Sequence, residues 1–156
     1  MTTEIKTIDI AVAQNVEGIY DISFDDNGDF VRDRSYETAI RMSLFLDARA
    51  DVSDIKPAEL RRGWWGNGEL YSIPHEIGSK LWLLQQRRNT VKARNDAIGY
   101  VKNCLQWLID DNHAEKVEIT ASSEDVFDMI LDIKITYSAD LLETFRFNLW
   151  SNTKEL

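Results

Sequence analysis

The sequence predicts an α+β fold from three observations. The N-terminal segments alternate apolar and polar residues with the period of strands. The middle carries helical spacing on both sides of a long non-periodic stretch, and the last third alternates again. The expected architecture is an N-terminal β-hairpin, central helices with a long ordered loop, and a C-terminal three-stranded antiparallel meander. A length of 156 residues suits one domain with a real core, so residues 1–156 are expected to form a single unit.

The hairpin rests on Thr7–Ala11 and Ile19–Phe24, both half-buried strands by their alternation. Asp25-Asp26-Asn27-Gly28-Asp29 is a turn by chemistry, because Asn-Gly readily takes positive φ. Phe30-Val31 is expected to return as a short strand. Ser35 is a candidate N-cap for a helix over roughly 36–47, with Tyr36, Ile40 and Leu44 on one stripe. A second helix is predicted over about 78–88, on Ile77, Leu81 and Leu84. A third, capped by Thr90, is predicted over about 91–111 on Ala97/Ile98, Val101, Cys104/Leu105 and Leu108. The meander is built from 117–121, 129–137 and 144–150.

Composition narrows function. There is no apolar run of about 18 residues, so no membrane span is expected. The start, Met1-Thr2-Thr3-Glu4-Ile5-Lys6, lacks the apolar core of a signal peptide, which suggests folding in a cytoplasm. Cys104 is the single cysteine and falls in an apolar helical stripe, where a buried thiol is the ordinary outcome. With His75 and His113 as the two histidines, the usual Cys/His zinc set cannot be assembled, and no cofactor is expected. The net charge is −9, but residues 61–102 carry 8 bases against 3 acids. An acidic chain with a basic middle argues against nucleic acid, which needs a broad positive surface. It suits a protein meeting different neighbours on different faces, or one whose basic segment pairs with its own acids.

The residues bear on several chemistries. Asp25, Asn27 and Asp29 match the first ligands of an EF-hand loop, but Phe30 stands where Gly is needed and Tyr36 where Glu is needed. Gly78-Ser79-Lys80 resembles the end of a phosphate loop, with Ile73 where its first glycine belongs. His75-Glu76 could form half a catalytic set, yet no motif marks a nucleophile. A small acidic hydrolase of cell-wall glycans, using two carboxylates, is the alternative function from another class. A free regulatory binding module on the same fold is a third.

The stretch from Asp47 to about Ile77 has no periodicity, yet it contains Arg61-Arg62-Gly63-Trp64-Trp65-Gly66. Such a segment is too aromatic for a linker and is expected to be an ordered functional loop. Trp and Arg dominate interface hot spots. Arg61, Arg62, Trp64 and Trp65 are therefore candidate partner-binding residues, with one Trp ring expected in the core and the other facing a partner.

Ser43–Asp51, Arg-Arg-Gly-Trp-Trp-Gly at 61–66, Gly78–Leu84, Leu105–Asp111 and Phe145–Trp150 together resemble the Mu-like phage baseplate family. The order and spacing fit over roughly residues 8–150; Val52 departs from the proline expected there in many relatives. The family is similar to the wedge and sheath-initiator proteins of contractile phage tails. The resemblance implies a structural, non-enzymatic protein of the virion tail baseplate, made and assembled in the host cytoplasm and present in six copies. It implies contact with the core bundle of larger wedge proteins and with the tail sheath, with tube or hub proteins as further neighbours, and no nucleic acid or membrane partner. Physically, the loop would dock on the wedge bundle, and a free edge of the C-terminal sheet would accept an extended sheath arm by strand addition.

Aligning apolar faces places Ile135 opposite Phe145, Ile133 opposite Phe147 and Leu131 opposite Leu149, with Ile119 beside Ile133 and Val117 beside Ile135. This sets Glu118, Lys134 and Arg146 in one outer row and pairs Ile130 with Trp150 at its end. Ile130, Lys134, Arg146 and Trp150 are the candidate sheath-contact residues.

Overall fold

The structure is a computed structural model that describes residues 9–14, 19–33, 35–68, 76–85, 87–123 and 128–149. The chain divides into two compact units, residues 1–42 and 43–156, and the division falls inside helix α1 (Glu37–Phe45). Strands and helices follow the predicted α+β order.

In the first unit, β1 (Asp9–Ile10) pairs with β4 (Arg32–Asp33) and β2 (Val12–Gln14) pairs with β3 (Tyr20–Ile22), both antiparallel. A third short arm is closed by the Phe24–Phe30 bridge. The arms meet in a ring of three backbone hydrogen bonds. Ala11 N donates to Val31 O (2.8 Å), Val31 N to Ser23 O (2.9 Å) and Ser23 N to Ala11 O (3.1 Å). The hairpin is therefore branched: 20–22 pairs with 12–14, while the return expected across the Asn-Gly turn is made by the Phe24–Phe30 bridge. At the tip, Asp25 Oδ1 accepts from Asn27 N and Asp29 N, both at 2.9 Å, and Gly28 takes φ +82°. The backbone N–H groups of Asp29 and Asn27 hold the Asp25 carboxyl below its ordinary range.

Helix α1 is capped from two side chains. Ser35 Oγ accepts from Glu37 N (3.0 Å), and Asp33 Oδ2 accepts from Thr38 N (3.0 Å). Ile40 and Leu44 are its buried face. The helix stops at Phe45, short of the predicted 47, because Leu46 O accepts from Ser79 N (2.8 Å) and Asp47 enters a parallel bridge with Ser79.

In the second unit, α2 (Val91–Cys104) starts where Thr90 Oγ1 accepts from Ala93 N at 3.1 Å. Its buried stripe is Ala93, Ala97, Val101 and Cys104. The single helix predicted to 111 is broken: α3 (Trp107–Asp110) follows after Leu105 and Gln106, where Gln106 N bonds Asn103 O three residues back. The helix predicted over 78–88 is one three-ten turn, Leu81–Leu84. Its start is pulled away from helical geometry by Ser79, whose hydroxyl donates to Leu44 O at 2.6 Å. Leu81 and Leu84 are still buried, as their stripe predicted.

The C-terminal sheet has the order β5 (Lys116–Ser122), β6 (Ile130–Ser138), β7 (Leu141–Asn148), all antiparallel. Val117 opposes Ile135 and Ile119 opposes Ile133, as expected. The β6–β7 register corrects the prediction by two residues: Phe145 stands opposite Ile133, Phe147 opposite Leu131 and Glu143 opposite Ile135. A tight connection at Ala139–Asp140 and an irregularity between Thr136 and Ser138 set this register. A two-residue shift keeps every side chain on its face, so apolar patterning alone could not choose. Glu143 is accommodated on the inner face by the Tyr137 hydroxyl, 2.8 Å from its Oε2. Met129, Leu131, Ile133 and Ile135 are fully buried with Val101, Leu105 and Leu108, each large aliphatic side chain contributing about 1.5–3 kcal/mol on burial.

Candidate partner-binding loop and sheet edge

The described residues of the stretch from Asp47 to Lys80, 47–68 and 76–80, are tied together by backbone bonds at a few fixed points. Ala48 N donates to Ser79 O, Ala50 N to Arg61 O and Trp64 N to Asp47 O, at 2.7–2.9 Å. The 61–64 segment thus runs beside 47–50. Gly78 makes the closure possible: it takes φ +116°, and a Cβ there would stand 2.7 Å from Leu46 O. Asn67 clasps the far end, donating to Ile77 O (2.8 Å) and accepting from Ile77 N (2.9 Å). Glu76 Oε1 accepts from Arg49 N at 3.0 Å. His75 lies outside the described residues.

Upon this frame the predicted residues take separate roles. Arg61 is half-buried, its Nε donating to Ala50 O at 2.6 Å. Arg62 is exposed, bridges Asp47 at 3.2 Å and sits 4.8 Å above the Trp82 ring. Trp82 Nε1 donates to Ala48 O, which fixes that ring in turn. Trp64 is half-buried against Gly66, and Trp65 is 79% exposed, the two ring centroids 5.9 Å apart. Leu60, 85% exposed, and Val52 add apolar surface to the same loop. These two were missed in the sequence because no periodicity surrounds them.

Three of the eight bases of the basic segment, Arg62, Lys80 and Arg87, face this chain's own acids. Lys80 Nζ lies 2.6 Å from Asp51 and 2.7 Å from Asp54, and Arg87 lies 3.7 Å from Asp96. The Lys80 hydrogen bond, helped by the Asp51 backbone, holds the Asp54 carboxyl below its ordinary range. Burial works to lower the Lys80 ammonium, but its two carboxylate bonds outweigh that and raise it. Beside the loop is a cavity of about 340 Å³ bordered by Glu76, Lys80, Tyr100, Cys104 and Trp107. Burial pushes the Cys104 thiol up to about 12, so it stays neutral and is no nucleophile near pH 7.

On the sheet, Lys134 is exposed between Glu118 and Thr144, and Arg146 faces Asp132 at 3.6 Å. The two-residue register shift sets Lys134 opposite Thr144 and Arg146 opposite Asp132, so the two cations do not stand directly across from one another. Ile130 is 1% exposed and opposes Asn148, which corrects the expected outer apolar pair: Ile130 is core. Trp150 lies outside the described residues. Among the described residues β7 bonds to β6 alone, which leaves its other edge open. The candidates therefore fall in two places, one on the loop and one on β6–β7.

A family model for phage protein GP46 matches residues 36–141, which takes in the loop, both helices of the second unit and most of the sheet. The chain belongs to the GP46 family of phage proteins. It is 36% identical over 121 residues to the Mu-like prophage FluMu protein gp46 of Haemophilus influenzae, covering 76% of this chain and 82% of that protein. It is 36% identical over 98 residues to the baseplate protein gp46 of Escherichia phage Mu, covering 62% of this chain and 66% of that one. The resemblance read from the Trp-Arg loop and its flanks is thus a family relationship. The GP46 match begins at Tyr36, after the branched β-arm.

Proposed function

We propose that this GP46-family chain is a structural component of a phage tail baseplate, without enzymatic activity. Its loop docks on the core bundle of the larger wedge proteins, and its β7 edge receives an extended arm of the first sheath ring. One observation carries this reading: Trp65 shows 79% of its surface to solvent from a loop held by backbone bonds at both ends. An indole held out on a rigid frame has little conformational entropy left to lose, which is the condition for a hot spot. Arg62 and Leu60 are exposed on the same loop. The baseplate name of the Mu relative supports the same assembly. Six copies per baseplate, built in the host cytoplasm, complete the proposal.

The test is the location of Trp65 in purified tails. Trp65→Ala is expected to weaken incorporation by about 2 kcal/mol or more while leaving the isolated chain's melting curve in place. Incorporation at the wild-type level, or a density map with Trp65 facing solvent, ends the docking reading. Peptidoglycan clearing by the pure protein, lost in Glu76→Gln, would instead favour the hydrolase.

A further inference from the structure

The branched arm at 19–33 carries an apolar surface that the loop and sheet-edge contacts do not use. Phe24 is 61% and Phe30 51% exposed, although their tilted rings lie 5.1 Å apart, and Ile19, Ile22 and Val31 of the same arm are exposed too. A cross-strand aromatic pair stabilises its own turn, but that accounts for the faces the rings share, not for those turned to water. Contiguous exposed apolar residues on a soluble protein mark a binding surface. The charge around them is one-sided: Asp21, Asp25, Asp26, Asp29 and Asp33 against Arg32 within residues 19–33. The Asp25 carboxyl is held ionised by its turn and keeps the tip rigid.

We propose that the Phe24/Phe30 tip is a second docking surface, which seats in an apolar groove rimmed by Lys or Arg on a different protein of the assembly. This rests on the baseplate reading and adds a partner contact outside the region matched by the family model, which starts at Tyr36. A second copy of this chain fits poorly. Its net charge is −9, so two copies repel overall, and three of the eight bases in its basic segment, Arg62, Lys80 and Arg87, already face its own carboxylates. Nucleic acid and anionic membrane are excluded by the same acidic rim. Apolar rings would supply the affinity and the aspartates the choice of partner, so binding should weaken with salt.

The experiment places the photo-cross-linking residue p-benzoylphenylalanine at position 24 of the full chain, in tails purified after assembly. The expected product joins this chain to a different polypeptide, at a peptide where Lys or Arg flanks apolar residues. Asp26→Lys with Asp29→Lys, which spares the Asp25 turn, should cut that product at least tenfold and leave the free chain's melting temperature unchanged. An adduct between two copies, an adduct indifferent to charge reversal, or no adduct in tails that contain the chain overturns the proposal. Tails that lack the chain overturn the baseplate reading, and this proposal with it.

Discussion

A Cβ on residue 66 would stand 2.5 Å from two carbons of the Trp64 indole, so Gly66 is where the backbone lies flat on that ring. The Trp-Trp-Gly order follows from this contact. Trp64 is held in place by Gly66 and Trp65 is left to project. Gly66→Ala should displace the Trp64 ring and cost about 1–3 kcal/mol, as overpacking does. Urea unfolding checks the cost and near-ultraviolet circular dichroism the ring. Unchanged values would mean that Trp64 is not seated there.

Gly78 should be less tolerant still. Any other residue must adopt φ +116° and also push against Leu46 O and the Ala48 amide. Gly78→Ala is expected to cost about 2–3 kcal/mol through strain and the loosened Asp47–Ser79 bridge. Protease nicking within 47–80 should rise while α2 and the sheet keep their hydrogen-exchange protection. Loss of protection in α2 at the same rate would show that the loop and helix open as one unit.

Where sequence and structure agree, a local period or a cap decided the outcome. Thr90 starts α2, the 129–137 alternation fills one sheet face, and Arg-Arg-Gly-Trp-Trp-Gly marks the ordered loop. Where they differ, a long-range bond won. Ser79 reaches back 35 residues to Leu44 and reduces a predicted helix to a turn. The β6–β7 register was set by the connection at 139–140, which apolar patterning does not encode. The solvent exposure of Leu60 and Val52 follows from the path of a loop without period, so it had no signature to read.

The Lys80 cluster has a definite pH signature. The Asp54 carboxyl is lowered by Lys80, so its contribution is present above the unfolded carboxyl pKa and fades as pH falls through the folded value. Lys80 is raised, so its contribution is complete below the unfolded lysine pKa and fades only as pH rises through the folded value. Between about pH 5 and 10 the cluster's contribution should be flat. Lys80→Met should cost only about 0.5–1 kcal/mol there, since both partners are partly solvated. The difference from wild type should shrink in acid. A difference that stays constant as pH falls would show that the carboxylates are held down by something other than Lys80.

The β7 edge can be tested without unfolding the sheet, because one bond fixes which amides face outward. Leu149 N donates to Met129 O, so residue 149 points its N–H at β6. Alternation along the regular ladder gives the same direction to residues 147, 145 and 143, and the opposite one to 148, 146 and 144. Thr144 is exposed and its amide faces the open edge. Thr144→Pro removes a donor that β6 does not use, which edge strands tolerate. Phe145→Pro removes one that β6 does use. Thr144→Pro should therefore fold with a melting temperature near wild type and fail to nucleate sheath polymerisation on purified baseplates. Phe145→Pro should be unstable as a free chain. Normal sheath growth on Thr144→Pro baseplates would show that no strand is added along that edge, and the sheath contact would have to be sought on the Lys134 face instead.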